Sequence, residues 1–191
     1  MADTKQRTKK DRKSEAPASY EAGFELEEKT IEIRRVSKVV QGGRRFAFRV
    51  TVVVGDHSGQ VAAGVGKATT VPEAIRKATT RARKQLRRMN VYGGTIPHAV
   101  IGRVGGSVVL LKPASPGTGV IAGGGVRAVM QAVGVRDILT KSMGSGNIHN
   151  VVMATLDALD QLKSVDEQAR MRGKDVKELK PFWDRGKKNG S

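Results

Sequence analysis

The stretch Phe46-Ala47-Phe48-Arg49-Val50-Thr51-Val52-Val53-Val54 constrains the fold more than any other. Phe46, Phe48, Val50, Val52 and Val54 recur at every second position, the spacing that sends side chains to one face of a β-strand. One face of this strand therefore needs a core. Gly55-Asp56-His57-Ser58-Gly59 follows with turn chemistry and leads into a second apolar run over residues 60–65, so the pair reads as an antiparallel hairpin. An earlier strand over residues 31–40 reaches the same sheet through the tip Val40-Gln41-Gly42-Gly43-Arg44.

A helix comes next. Thr70-Val71-Pro72-Glu73 has the spacing of a capping box, with Pro in the first turn where its missing N–H costs nothing. Ile75, Ala78, Ala82, Leu86 and Met89 fall at steps of three and four and form one core stripe. Lys77, Arg81, Lys84 and Arg88 repeat at the same spacing on another side of the cylinder. Such a stripe is either a solvated face or a phosphate-binding one. Solvated faces interleave Glu with Lys, whereas residues 67–88 hold eight bases and one acid, which favours phosphate.

After the linker Asn90-Val91-Tyr92-Gly93-Gly94-Thr95 a second unit begins. It reads as a strand over residues 99–104, a Gly105-Gly106 turn, a strand over 107–112, a glycine-rich loop and a helix carrying Val126, Val129, Met130 and Val133. Gly134 suits the end of that helix. A short strand over 135–140 follows, then a helix capped by Asn147 with Val151, Val152, Thr155, Leu159 and Leu162 on one face. The fold class is α+β. Residues 29–94 make a three-stranded antiparallel sheet plus helix and residues 95–165 an α/β unit, between a basic extension over 1–28 and a C-terminal extension over 166–191. The first twenty residues read either as a phosphate-binding arm or as a merely soluble tail.

The charge is large and clustered. The chain of 191 residues carries 35 Lys plus Arg against 18 Asp plus Glu, a net +17. By itself this admits nucleic acid, an anionic membrane surface or plain solubility. Thirteen of the seventeen net charges fall in residues 34–49 and 67–88, which is the footprint of a polyanion partner. No run of about 18 apolar residues and no apolar signal core is present, so a cytoplasmic protein without a membrane partner is expected. Zero Cys excludes disulfides and thiolate chemistry, and His57, His98 and His149 lack zinc-site spacing, so structural metal and most covalent catalysis drop out. With RNA binding as the expected role, no cofactor and no catalytic residue are expected.

Three motifs could carry chemistry. Arg45-Phe46-Ala47-Phe48 has a faint likeness to an RNA-recognition-motif strand, but both Phe belong to the period-two run, and core packing is the expectation for them. With 4% aromatic residues, base stacking is not the main binding mode. Pro116-Gly117-Thr118-Gly119-Val120-Ile121-Ala122-Gly123-Gly124-Gly125 could cradle an anion at a helix start, yet it lacks the Gly-Lys-Ser/Thr ending of a Walker loop. A small-molecule kinase would need carboxylates nearby, and residues 97–150 offer only Asp137. Turn and helix packing, or RNA phosphate on the helix start, are the better readings. The third motif is Arg34-Arg35-Val36-Ser37-Lys38-Val39-Val40-Gln41-Gly42-Gly43-Arg44-Arg45, whose bases and glycines suit a projecting phosphate clamp.

That third motif, continued through residues 46–56 and Gly64-Val65-Gly66-Lys67-Ala68, resembles the bacterial small-subunit ribosomal protein S5 family. Lys112-Pro113-Ala114-Ser115-Pro116-Gly117-Thr118-Gly119-Val120-Ile121-Ala122-Gly123-Gly124 is independently similar to that family's glycine loop, and the likeness covers about residues 29–162. The resemblance implies a double-stranded-RNA-binding-like N-terminal domain and a C-terminal two-layer α/β sandwich of the ribosomal protein S5 domain 2-like type. It also implies a structural protein of the small subunit that binds 16S rRNA, supports assembly and translational accuracy, and lies near the mRNA entry channel, with ribosomal proteins S4 and S8 as neighbours and no small-molecule substrate. Residues 34–45 would be the hairpin reaching rRNA, with Ser37, Lys38 and Val39 matching the neighbourhood linked to spectinomycin resistance. The expected rRNA-binding set is Arg34, Arg35, Ser37, Lys38, Gln41, Gly42, Gly43, Arg44, Arg45, Arg49, Lys67, Lys77, Arg81, Lys84 and Arg88. Gly117, Thr118, Gly119, Gly123, Gly124 and Arg127 would form a loop facing partner protein or RNA. Two rival classes stand beside this reading: a non-ribosomal double-stranded RNA or DNA module, and the kinase-like enzyme.

Overall fold

A computed structural model of the chain describes residues 26–179. The basic arm read over residues 1–20 and the end of the C-terminal extension, 180–191, lie outside the described residues.

The alternating run of valines becomes the centre of the molecule. Strands β1 (Glu27–Val40), β2 (Gly43–Gly55) and β3 (Gln60–Ala68) pair antiparallel in sequence order, and helix α1 (Val71–Arg83) follows. Val50, Val52 and Val54 of β2 pack with Ala74, Ala78 and Ala82 of α1 in one core. The helix comes close because β3 presents glycine to it. A Cβ on Gly66 would stand 2.0 Å from the Ala74 carbonyl oxygen, and one on Gly64 2.2 Å from that of Ala78.

The opposite face of β2 is buried as well. Val53 joins Val61, Ala63 and Met89 in a second core with Ile96, Leu111, Met130, Ile138 and Leu159 from the second unit. The first sheet is thus sandwiched between its own helix and the other unit. That unit contains β5 (Val100–Val104), β6 (Ser107–Pro113), β7 (Val120–Ile121), α2 (Gly124–Val133), β8 (Ile138–Gly144) and α3 (Ile148–Asp160). Its sheet runs in the order β5-β6-β8-β7, with β7 parallel to β8 and the other pairs antiparallel. Two helices, α4 (Val165–Arg172) and α5 (Val176–Leu179), continue the chain. The architecture is the α+β one expected.

Four local readings change. The sheet gains a two-residue strand, β4 (Arg87–Arg88), paired with Gln60 and Val61. Correspondingly α1 stops at Arg83, with the Gln85 amide turning back to the Ala82 carbonyl at 2.8 Å. Met89 then donates its N–H to Gly59 and sinks into the core between the units, so it never joins the helix stripe. Thr70 sits in extended backbone at the helix start but makes no side-chain cap. The strand expected from residue 135 begins at Ile138, because Gly134 and Val135 first fold back onto Met130. Asn147 does cap α3, accepting from the His149 amide at 3.2 Å.

Candidate nucleic-acid interface

The third strand ends where Ala68 pairs with Phe48, so β1 and β2 run on past it as a two-stranded ribbon. Gly42, at φ 85°, makes the reversal at its tip, a backbone shape open to glycine at no steric cost. The cross-strand register sorts the expected clamp into two faces, since residues directly opposite share a side of the sheet. Arg34, Arg49 and Lys67 form one row across three strands, and Lys38 opposite Arg45 lies on the same face nearer the tip. This is the face that carries Val53 toward the second unit. Arg34 and Lys67 are exposed and Arg49 half-buried. Glu32, 3.0 Å from Arg34, steadies that guanidinium.

The other face holds Arg35, Ser37 and Arg44 with the apolar Ile33, Val39, Phe46 and Phe48. Phe48 packs against the core of α1 as expected, whereas Phe46 is 49% exposed with the Arg35 guanidinium 3.8 Å from its ring centroid. Core packing is therefore wrong for Phe46. Period two assigns a face but not the point where α1 stops covering it. Gln41 and Gly43 complete the exposed tip with Gly42.

The helical stripe is only partly assembled. Lys77 and Arg81 lie exposed on α1, but Arg81 donates to the Val65 carbonyl at 2.7 Å. Lys84 is the residue that ends the helix, and Arg88 belongs to β4, so the four do not form one helix face. Two neighbouring bases are used internally: Arg83 pairs with Glu28 at 2.7 Å and Arg87 with Asp160 at 2.7 Å.

The glycine loop holds an anion of its own. Gly117 and Gly119 each donate an N–H to the same oxygen of Asp137, both at 2.9 Å. Those amides are unavailable to a phosphate while Asp137 stays. Thr118 turns its hydroxyl back to the Ser115 carbonyl, and Arg127 on α2 reaches the Val120 carbonyl. Gly123 and Gly124 open α2 without a side-chain cap and are exposed. In the sequence Asp137 stands out only as the single acid of residues 97–150; its contact across the loop joins positions 18 and 20 residues apart. Among the described residues no three His, Asp or Glu gather as a metal site, and no helix is long and apolar enough to cross a membrane.

A two-unit α+β frame thus carries five cations on one face of its first sheet, two of them, Lys38 and Arg45, on the projecting ribbon. Comparison with known proteins identifies the family. The family model "Ribosomal protein S5, N-terminal domain" matches residues 26–90, and "Ribosomal protein S5, C-terminal domain" matches 102–172. A curated relative, the small ribosomal subunit protein uS5 of Syntrophobacter fumaroxidans, is 53% identical over 157 residues, 82% of this chain and 95% of that protein. The chain belongs to the ribosomal protein S5 family. Members are ribosomal proteins and not enzymes, which sets the kinase-like reading aside.

Proposed function

We propose that the chain is a structural constituent of the cytoplasmic small ribosomal subunit and binds 16S rRNA through the basic face of the β1–β2 ribbon. The observation that carries this is the row Arg34–Arg49–Lys67 across three strands, with Lys38 and Arg45 beyond it on the ribbon, five cations on one face of the sheet. A-form RNA hides its major-groove edges, so such a surface reads phosphates, 2′-hydroxyls and shape. Gln41, Gly42 and Gly43 bring backbone close at the tip, while Lys77, Arg81, Lys84 and Arg88 supply secondary contacts from α1 and β4. Support of assembly and translational accuracy, a position by the mRNA entry channel, and contacts with ribosomal proteins S4 and S8 through Thr118, Gly123, Gly124 and Arg127 complete the reading. Residues 29–94 are assigned the RNA-binding role and residues 95–165 the contact with neighbouring proteins.

Sucrose-gradient fractionation of cell extract tests the proposal. Co-migration with free small subunits is the expected result. A chain that stays at the top of the gradient, or that binds generic duplexes as tightly as rRNA, would reject it in favour of a free duplex-binding module.

A further inference from the structure

The ribbon's second face remains without a role in phosphate binding. Beyond the Phe48–Ala68 pair no third strand and no helix among the described residues covers it, yet it exposes Val39 and Phe46 there, with Ile33 exposed on the same face where three strands pair. Phe46 is 49% exposed and shares its face of the ribbon with exposed Val39, and exposed apolar groups gathered on one face mark binding sites. Arg35 lies over the ring, which makes a flat plate, guanidinium on phenyl. Between Ile33 and Phe48 this face carries Arg35 and Arg44 and no acid.

We infer that Arg35 and Phe46 form a stacking platform for one unpaired nucleobase of the small-subunit rRNA, with Arg44 placed for the adjoining phosphate. This rests on the proposed rRNA binding and extends it to the opposite side of the ribbon. A delocalised cation on an aromatic ring matches the π-face of any base, and Arg guanidinium planes and Phe rings are the side chains on which splayed RNA bases stack. An apolar protein surface would match Ile33, Val39 and Phe46 but leave Arg35 and Arg44 to find carboxylates. Lys38 and Arg45 on the reverse of the same ribbon, with the Arg34–Arg49–Lys67 row beside them, favour RNA on both sides. The ribbon would then sit wedged between a phosphate backbone and an unstacked base.

The test uses the full chain and small-subunit particles assembled without it. Short-wavelength ultraviolet irradiation of the reconstituted particle, followed by mass spectrometry, should place a nucleotide adduct on Phe46. Phe46→Leu should weaken binding to the particle about tenfold, the loss of one stacked base, with the salt slope unchanged. Phe46→Trp should restore it. Because the ring is exposed, an unaltered melting curve for Phe46→Leu checks that folding is intact. A peptide adduct in place of a nucleotide, or equal affinity of Phe46→Leu and wild type, overturns the platform. Wild-type chain that fails to bind the particle at all removes the rRNA reading itself, a separate outcome.

Discussion

Gly134 shows how much a single position can hold. It ends α2 at φ 94°, and a Cβ there would stand 2.0 Å from the carbonyl oxygen of His57. His57 is itself at φ 56° in the β2–β3 turn, and its ring bridges the Gln131 carbonyl oxygen and the Glu27 carboxylate. The His57 and Gly59 amides donate to Ala132 and Val133 at 3.0 and 2.9 Å, so the turn of one unit is hooked onto the helix end of the other. Gly134→Ala adds left-handed strain of about 1–2 kcal/mol and forces this hook apart. The expected loss is about 3 kcal/mol by urea denaturation, and a loss below about 1 kcal/mol would mean that turn and helix separate freely. A helix end at Gly134 was legible because glycine after an apolar stripe has a local meaning. That His57 lies against it was not, since nothing local joins positions so far apart in the chain. Phe46 repeats the lesson: spacing gave its face, while its exposure depends on where another element stops.

At the level of elements, the register of β1 on β2 decides which cations act together. Reading the sequence yields a block of bases, but only pairing separates Arg34, Lys38, Arg45, Arg49 and Lys67 from Arg35 and Arg44. Each phosphate contact contributes roughly 0.7–0.9 to the slope of log affinity against log salt. Replacing Arg45, Arg49 and Lys67, three cations of this face outside the Arg34–Glu32 pair, together by Ala should therefore flatten that slope by about 2 for small-subunit particles assembled without the chain. Replacing Arg87, already paired with Asp160, should leave it unchanged; equal slopes in both variants would mean the face does not touch phosphate. The glycine loop makes a separate prediction. Asp137→Ala removes the carboxylate that both Gly117 and Gly119 donate to, and charge-assisted hydrogen bonds contribute about 1.5–3 kcal/mol. Hydrogen exchange at those two amides should quicken by at least about tenfold while α3 amides stay protected. Unchanged exchange would show that the loop is ordered by its own turns. Helix α1 is shorter than its apolar spacing implies for a related reason: Leu86 and Met89 keep the period of a helix, but Met89 serves the core between units instead.

For the whole molecule, the continuous run Val50-Thr51-Val52-Val53-Val54 carries more information than its alternation. Apolar residues at odd as well as even positions mean burial on both faces. That signal was present in the sequence, though the even positions alone suffice to predict a strand. The structure uses both: Val52 faces α1, and Val53 sits at 0% exposure among residues of the second unit. Two units with separate family matches thus share a core. If that core is continuous, neither unit has an independent melting transition, because losing the second unit strips Val53, Val61 and Ala63 of their cover. Calorimetry on the full chain should show one transition whose calorimetric and van't Hoff enthalpies agree. Val53→Ala, which opens a cavity at that junction, should lower stability by roughly 2 kcal/mol and accelerate exchange in β2 and α2 alike. Two resolved transitions, or a loss confined to the first sheet, would mean that the units merely touch. The distinction bears on binding, because a ribbon fixed to the second unit meets RNA and protein neighbours in one set geometry, whereas a hinged one does not.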